Sequence, residues 1–243
     1  MTTTVTSSIG TTGRDYSTPN AWADDCPASL VSDDKIWKGE CYNDGTLDLG
    51  TSALSIDCAT ADSTRYMWLT CASGESFRDD ADVLTNALRP NQSNGVLIEA
   101  TSGSMVTPAI IMNSDYAIVE NLQINDTRPG NYKTVSGSGV TFFPTLRNCV
   151  IKSHQPSVAM DNRRCHFVNL ALIVDQAGCQ GVAGSSGAQG KIANCTLINT
   201  AATPTAKGHG DSWSGVYMLV DNTATFNWGA DNQCKSGSNN NAQ

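Results

Sequence analysis

Histidine is scarce in this chain, three in 243 residues, and none of the nine cysteines stands in a Cys-x-x-Cys arrangement. A structural zinc site needs four clustered His or Cys ligands, so no metal is expected, and no residue pattern implies a cofactor. Positive charge is sparse too: 15 Lys and Arg against 23 Asp and Glu leave a net charge of −8. Phosphate recognition needs clustered cations, which argues against a nucleic-acid partner. The densest basic spot, Arg163-Arg164, stands close to Asp161 and reads as a solvated turn. No run of 18 apolar residues occurs, so no membrane span is expected. The opening Met1-Thr2-Thr3-Thr4-Val5 lacks the basic and apolar regions of a signal peptide.

What is abundant is small and turn-forming. The 21 glycines and many Ser, Thr and Asn residues, with 40% apolar and 16% charged residues, are the composition of a turn-rich all-β protein. The length suffices for one sizeable core. Within this background one pattern recurs four times: Val119-Glu120-Asn121-Leu122-Gln123-Ile124, Leu146-Arg147-Asn148-Cys149-Val150-Ile151, Phe167-Val168-Asn169-Leu170-Ala171-Leu172 and Ile192-Ala193-Asn194-Cys195-Thr196-Leu197. The asparagines are 27, 21 and 25 residues apart, a mean period of about 24 that signals a solenoid, propeller or array. Each unit holds one six-residue strand with alternating polarity and no helical period between units. That favours a coil of strands, one turn per repeat.

In such a coil equivalent positions stack about 4.8 Å apart. Inward positions then meet like residues, so Leu122, Cys149, Leu170 and Cys195 are expected to form one core stack, and Ile124, Ile151, Leu172 and Leu197 a second. Asn121, Asn148, Asn169 and Asn194 fit a tight bend, because Asn tolerates the left-handed conformation, and stacked amides can form a hydrogen-bonded ladder. Cys149 and Cys195 occupy the slot of Leu122 and Leu170, so they read as small buried hydrophobes in a chain made in a reducing cytosol. Cys26 and Cys41 are the pair considered for a disulfide in the cap.

Along the chain, residues 1–10 form a Thr/Ser arm with little reason to fold alone. Ser17 or Thr18 can cap a short helix over 17–31, with Pro19 at its first position and Trp22, Cys26 and Leu30 on one face. Trp22 then covers the open end of the coil. Strands begin at Lys35. The segments 77–94 and 127–139 break the period and read as loops. The divisions are 1–34, an arm and capping helix; 35–228, the coil, roughly eight turns and roughly 40 Å long at one strand spacing per turn; and 229–243, a polar tail.

Several stretches resemble a known group. Ile9-Gly10-Thr11-Thr12-Gly13-Arg14-Asp15-Tyr16, Trp22, Cys26-Pro27 and Ile36-Trp37-Lys38-Gly39-Glu40-Cys41-Tyr42-Asn43 resemble the start of right-handed parallel β-helix proteins, pectate-lyase-like in fold, from tailed phages and prophages. Leu69-Thr70-Cys71-Ala72-Ser73-Gly74 and the Glu75-Ser76-Phe77-Arg78 after it resemble a second block of that group. The resemblance implies a single-domain, right-handed parallel β-helix and a virion surface protein, often a homotrimer. A compact coil with short arms implies a capsid decoration, or cement, protein on the capsid exterior. It would be made in the host bacterial cytoplasm and sit on the major capsid protein, with residues 1–16 and 229–243 expected to reach neighbouring subunits. The alternative is a tailspike or fibre segment that binds or cleaves host surface polysaccharide.

Enzymatic candidates are few. Gly208-His209-Gly210-Asp211-Ser212 resembles a polygalacturonase segment, but the Asn-Thr-Asp, Asp-Asp and Arg-Ile-Lys motifs of that family are missing, and hydrolysis needs two opposed carboxyls. Asp161, Arg163, Arg164 and Asp175 are the nearest set for a lyase, without lyase-like spacing. Gly184-Ser185-Ser186-Gly187 is a flexible loop and not a nucleophile elbow. Trp213, Tyr217 and Trp228 could stack on a glycan; the preferred reading makes Trp213 and Trp228 a lid over the far end of the core. No catalytic residue is assigned.

Overall fold

The structure is a computed structural model and describes residues 1–80, 89–137, 140–154, 158–161, 165–176, 180–183, 192–199, 207–209 and 215–221. Its strands fall into three series, and most strands pair in parallel with the strand three elements further along the chain. The first series is β1 (Thr3–Ile9), β2 (Lys35–Cys41), β5 (Met67–Cys71), β8 (Ile118–Glu120), β11 (Thr145–Arg147) and β14 (His166–Val168). The second is β3 (Leu47–Asp48), β6 (Leu97–Ala100), β9 (Gln123–Asp126), β12 (Val150–Ser153) and β15 (Ala171–Val174). Strand β17 (Ile192–Asn199) closes both, pairing through Ile192 and Ala193 with β14 and through residues 196–199 with β15. With β19 (Gly215–Asp221) beside β17, these make a 13-stranded sheet. The third series, β4 (Leu54–Ile56), β7 (Ile110–Met112), β10 (Val135–Gly137), β13 (Val158–Asp161), β16 (Gln180–Ala183) and β18 (Lys207–His209), is a six-stranded sheet. The fold is all-β, with parallel sheets.

Parallel pairing sets like residues side by side. Ile98, Ile124, Ile151 and Leu172 are buried in one row, with Leu197 next in register. Leu69, Val119, Leu146 and Phe167 make a second buried row. Each such side chain contributes about 1.5–3 kcal/mol by leaving water. Leu122, Cys149, Leu170 and Cys195 are buried between the two rows.

The repeat differs in one respect from its reading as a single six-residue strand. Asn121, Asn148 and Asn169 stand between two short strands with φ of +61°, +53° and +53°, since a left-handed residue cannot continue a pleated strand. Asn194, φ +52°, bends β17 in the same way.

The cap also departs from expectation. Instead of one helix over 17–31 there are two, α1 (Pro19–Asp24) and α2 (Leu30–Asp33). Pro27 has no N–H and disfavours helical geometry at the residue before it, so Cys26 leaves the helix. Thr18 caps α1 by accepting from the Ala21 N–H at 3.2 Å, and Ser29 caps α2 from Ser32 N–H at 3.1 Å. Trp22 is fully buried over the end of the sheet. A Cβ added at Gly39 would meet Ile9 Cδ1 at 2.7 Å and Trp22 Cε2 at 2.8 Å, so only glycine lets the indole approach.

The N-terminal segment is not a free arm. Residues 3–9 are β1, in register with β2 from Thr3 opposite Lys35 to Ile9 opposite Cys41. The next residues fold back: Thr11 N–H donates to Asp44 Oδ1 at 2.7 Å, and Arg14 Nε to Asp44 Oδ2 at 2.8 Å.

Neither predicted loop is wholly loop. The first begins with α3 (Phe77–Asp80) and includes a 3₁₀ turn (Gln92–Asn94). The second contains β10 and a fully buried ion pair, Arg128 to Asp126 at 2.8 Å. The first of these segments lies within the span from Trp68 to its neighbour Ile118, which is far longer than that from Thr145 to His166. With β17 counted, the first series holds seven strands among the described residues. Among these residues no helix is long and apolar enough to cross a membrane.

Candidate functional site

The outward face of the first series carries a charged cluster assembled from four strands. In the repeat, the slot before each Asn holds Glu120 and then Arg147, which parallel pairing places in register. Arg147 Nε donates to Glu120 Oε2 at 2.6 Å, and Trp68 Nε1 donates to Glu120 Oε1 at 2.8 Å. Lys38 lies 4.3 Å over the Trp68 ring and donates to Glu40 Oε1 at 2.6 Å. Two carboxylates thus share one face, the raw material of glycosidic hydrolysis. Both oxygens of Glu120 are taken, however, and its side chain is only 7% exposed. In the sequence the slot before the Asn is the one signal of this cluster: with the register known, Glu120 and Arg147 must meet.

A groove follows the asparagines. Asn169 Nδ2 donates to Asn148 Oδ1 at 3.1 Å, Arg78 Nη1 to Asn121 Oδ1 at 3.2 Å, and Asn121 Nδ2 to Thr70 Oγ1 at 3.3 Å. Phe77 packs on the outer side of the second series against Val150 and Ile173. Together with Arg78 it walls an open groove of about 360 Å³ whose floor includes Asn148, Asn169, Asn194 and Thr196. The groove offers amide donors and acceptors, and Cys149, which also lines it, is buried.

A smaller cleft, about 230 Å³, lies between Arg89, Asn125, Lys152, Ile173 and Asp175. Asp175 receives Lys152 Nζ at 3.0 Å and faces His154 Nδ1 at 2.8 Å. Asn125 Nδ2 donates to Glu99 Oε1 at 2.9 Å, while its buried Oδ1 has no partner. Lys152 is already paired with Asp175, so what the cleft offers a small anionic, hydroxylated ligand is Arg89 and the spare Asn125 acceptor. The Asp175 carboxylate, shared between Lys152 and His154, is poorly placed as a general acid.

The cysteines divide. Cys41 and Cys71 stand in register, and Cys149, Cys165 and Cys195 are buried in the core. Burial pushes the Cys149 thiol up to about 12 and that of Cys195 up to about 11. Cys41 is fully buried there, while Cys26 Sγ and Cys58 Sγ both donate to the Pro27 carbonyl oxygen.

Of the residues considered for lyase chemistry, Asp175 lines the cleft just described and Asp161 ends β13, while Arg163 and Arg164 lie outside the described residues. His209 ends β18, and Tyr217 of β19 pairs with Cys195. Asp211, Trp213, Trp228 and the tail 229–243 lie outside the described residues. Among the described residues no group of three or more His, Cys, Asp or Glu is placed to hold a metal ion. Comparison of the chain with family models, curated proteins and solved structures finds no match.

Proposed function

We propose that the three strand series wind as a right-handed parallel β-helix and that the chain is a non-enzymatic capsid decoration protein of a tailed phage. In this reading it is made in the host cytoplasm and assembles, as a homotrimer, on the major capsid protein at the capsid exterior. The observation that carries the reading is the use of the outward carboxylates. Glu120 is held by Trp68 and Arg147, Glu40 by Lys38, Asp175 by Lys152 and His154, and Glu99 by Asn125. Groups that could serve hydrolysis are instead tied, Glu40 within β2 and the other three to residues of neighbouring strands, which stiffens the faces of a body already held by parallel ladders. The resemblance of the Ile9–Asn43 and Leu69–Arg78 stretches to phage β-helix proteins supports the same reading. Because residues 3–9 are built into the sheet, contacts to neighbouring subunits fall to the faces and to the 229–243 tail.

The cleft at Arg89 and Lys152 favours a second reading, a tailspike or fibre segment that holds an acidic saccharide. Co-sedimentation with decoration-free capsids, with the solution mass read by light scattering, tests the first. Saturable binding by a trimer is expected. A protein that leaves capsids bare and clears halos on bacterial lawns overturns it in favour of the second.

A further inference from the structure

The cap and the sheets meet at two cysteines. Cys26 follows α1, and Cys58 lies two residues beyond β4. Both thiols donate to one acceptor, the Pro27 carbonyl oxygen, at 3.6 Å from Cys26 Sγ and 3.4 Å from Cys58 Sγ, and Cys58 Sγ also donates to the Ala28 and Thr60 carbonyls at 3.7 and 3.4 Å. The backbone around them is fixed. Ser29 and Thr60 form a parallel bridge, and the Leu30 N–H donates to the Thr60 carbonyl at 3.0 Å. Cys26 is partly exposed, and Cys58 is 7% exposed at the seam. Among the other described cysteines, Cys41, Cys149, Cys165 and Cys195 are buried, and Cys71 packs against the core.

We propose that Cys26 and Cys58 form an intramolecular disulfide, made by exchange with a low-molecular-weight disulfide of the glutathione type, that clamps the cap onto the sheets. Cys58 is the attacking sulfur. The neighbouring Cys26 thiol, helped by the Leu30 and Thr60 backbone and opposed by burial, brings the Cys58 thiol down to about 6. The thiolate form is the nucleophile in such exchange. Cys58 S⁻ attacks one sulfur of the small disulfide, whose S–S bond breaks to release one thiolate and leave a mixed disulfide on Cys58. Cys26 then gives up its proton and attacks the Cys58 sulfur, releasing the second thiolate. Two electrons pass from the protein dithiol to the small disulfide, and the two thiol protons leave with the two departing thiolates. The clamp would close once the protein leaves a reducing cytosol, and it does not depend on the virion reading.

The test uses the full chain, reduced and then exposed to oxidised glutathione, with non-reducing peptide mapping and thermal unfolding. The expected result is a mass loss of two hydrogens, a linked peptide pair containing Cys26 and Cys58, and a midpoint higher than that of the reduced protein. Closing a loop of about 30 residues in a chain of this size should raise it by about 7–15 °C. C26A and C58A lose the rise, while C41A keeps it. The proposal is overturned if wild-type Cys26 and Cys58 remain open to alkylation, if the linkage joins other cysteines, or if the linked form melts with the reduced one.

Discussion

Replacing Arg128 by Met keeps most of the side-chain volume and removes the charge from a site with no access to water. Arg128 and Asp126 are both fully buried. The guanidinium donates from Nε and Nη2 to the two oxygens of Asp126, each at 2.8 Å. It also donates to the carbonyls of Met105, Thr107 and Lys133 at 3.2, 2.7 and 3.2 Å. Thr134 Oγ1 donates to Asp126 Oδ2 at 2.9 Å and lies 2.8 Å from Ser153 Oγ, which ties the pair to β12. Breaking a buried pair from one side costs about 3–5 kcal/mol because the remaining charge stays buried. The Lys133 carbonyl keeps the Ala109 N–H at 3.2 Å, but depriving the Met105 and Thr107 carbonyls of a donor at about 1 kcal/mol each points to the upper half of that range. For a chain of this size, R128M should therefore melt about 8–20 °C below wild type. Urea unfolding should show a lower midpoint with an unchanged slope. The double variant D126N/R128M, which leaves no buried charge, should recover about 1–2 kcal/mol of the loss. An R128M protein within about 1 kcal/mol of wild type would refute the reasoning. A double variant no better than the single one would assign the loss to packing and not to charge.

Three other perturbations separate the remaining forces. At Asn169, φ +53°, N169A should cost about 1–2 kcal/mol in denaturant unfolding, whereas N169G should cost clearly less; equal losses would exclude left-handed strain as the cause. G39A drives a methyl into Ile9 and Trp22, so it should destabilise by about 1–3 kcal/mol and raise Trp22 fluorescence quenching by acrylamide; an unquenched, wild-type-like variant would show that the cap can shift freely. The Asp44 carboxyl is pushed up by burial but more strongly pulled down by Arg14 and Thr11, leaving it below its ordinary value. A depressed carboxylate stabilises above the unfolded value, near 4, and that contribution is lost as the pH falls through the folded one. D44N should therefore flatten the acid limb of the stability profile below about pH 4; an unchanged slope would remove Asp44 from the account.

The parallel all-β class and the stacked rows were legible because the determinants are local and repeated. Alternating apolar residues bury one face, and a residue type that tolerates positive φ marks each bend. Ile124, Ile151 and Leu172 lie in one buried row, and Asn121, Asn148 and Asn169 take the left-handed turn. The charged cluster was only half legible. Glu120 and Arg147 occupy the same repeat slot, but Lys38, Glu40 and Trp68 precede the repeats, and an insertion hides their register.

Some features depend on which distant segments the fold brings together. No local signal distinguishes a Thr/Ser arm from an edge strand, because β1 exists only by pairing with β2. Neither does composition reveal that Arg128, in a Pro-Gly-rich stretch, is fully buried; its partners Asp126, Met105, Thr107 and Lys133 converge only when β9 and the loops beside it are packed. The same holds for the cysteines. The sequence offers Cys26 and Cys41 only as a possible pair in the cap, but Cys41 is buried on the inner face of β2, and it is Cys26 and Cys58 that share the Pro27 carbonyl. Periodicity and left-handed tolerance act over a few residues and are written in the chain, whereas charge burial, edge pairing and thiol proximity are properties of contacts across dozens of residues and arise only on folding.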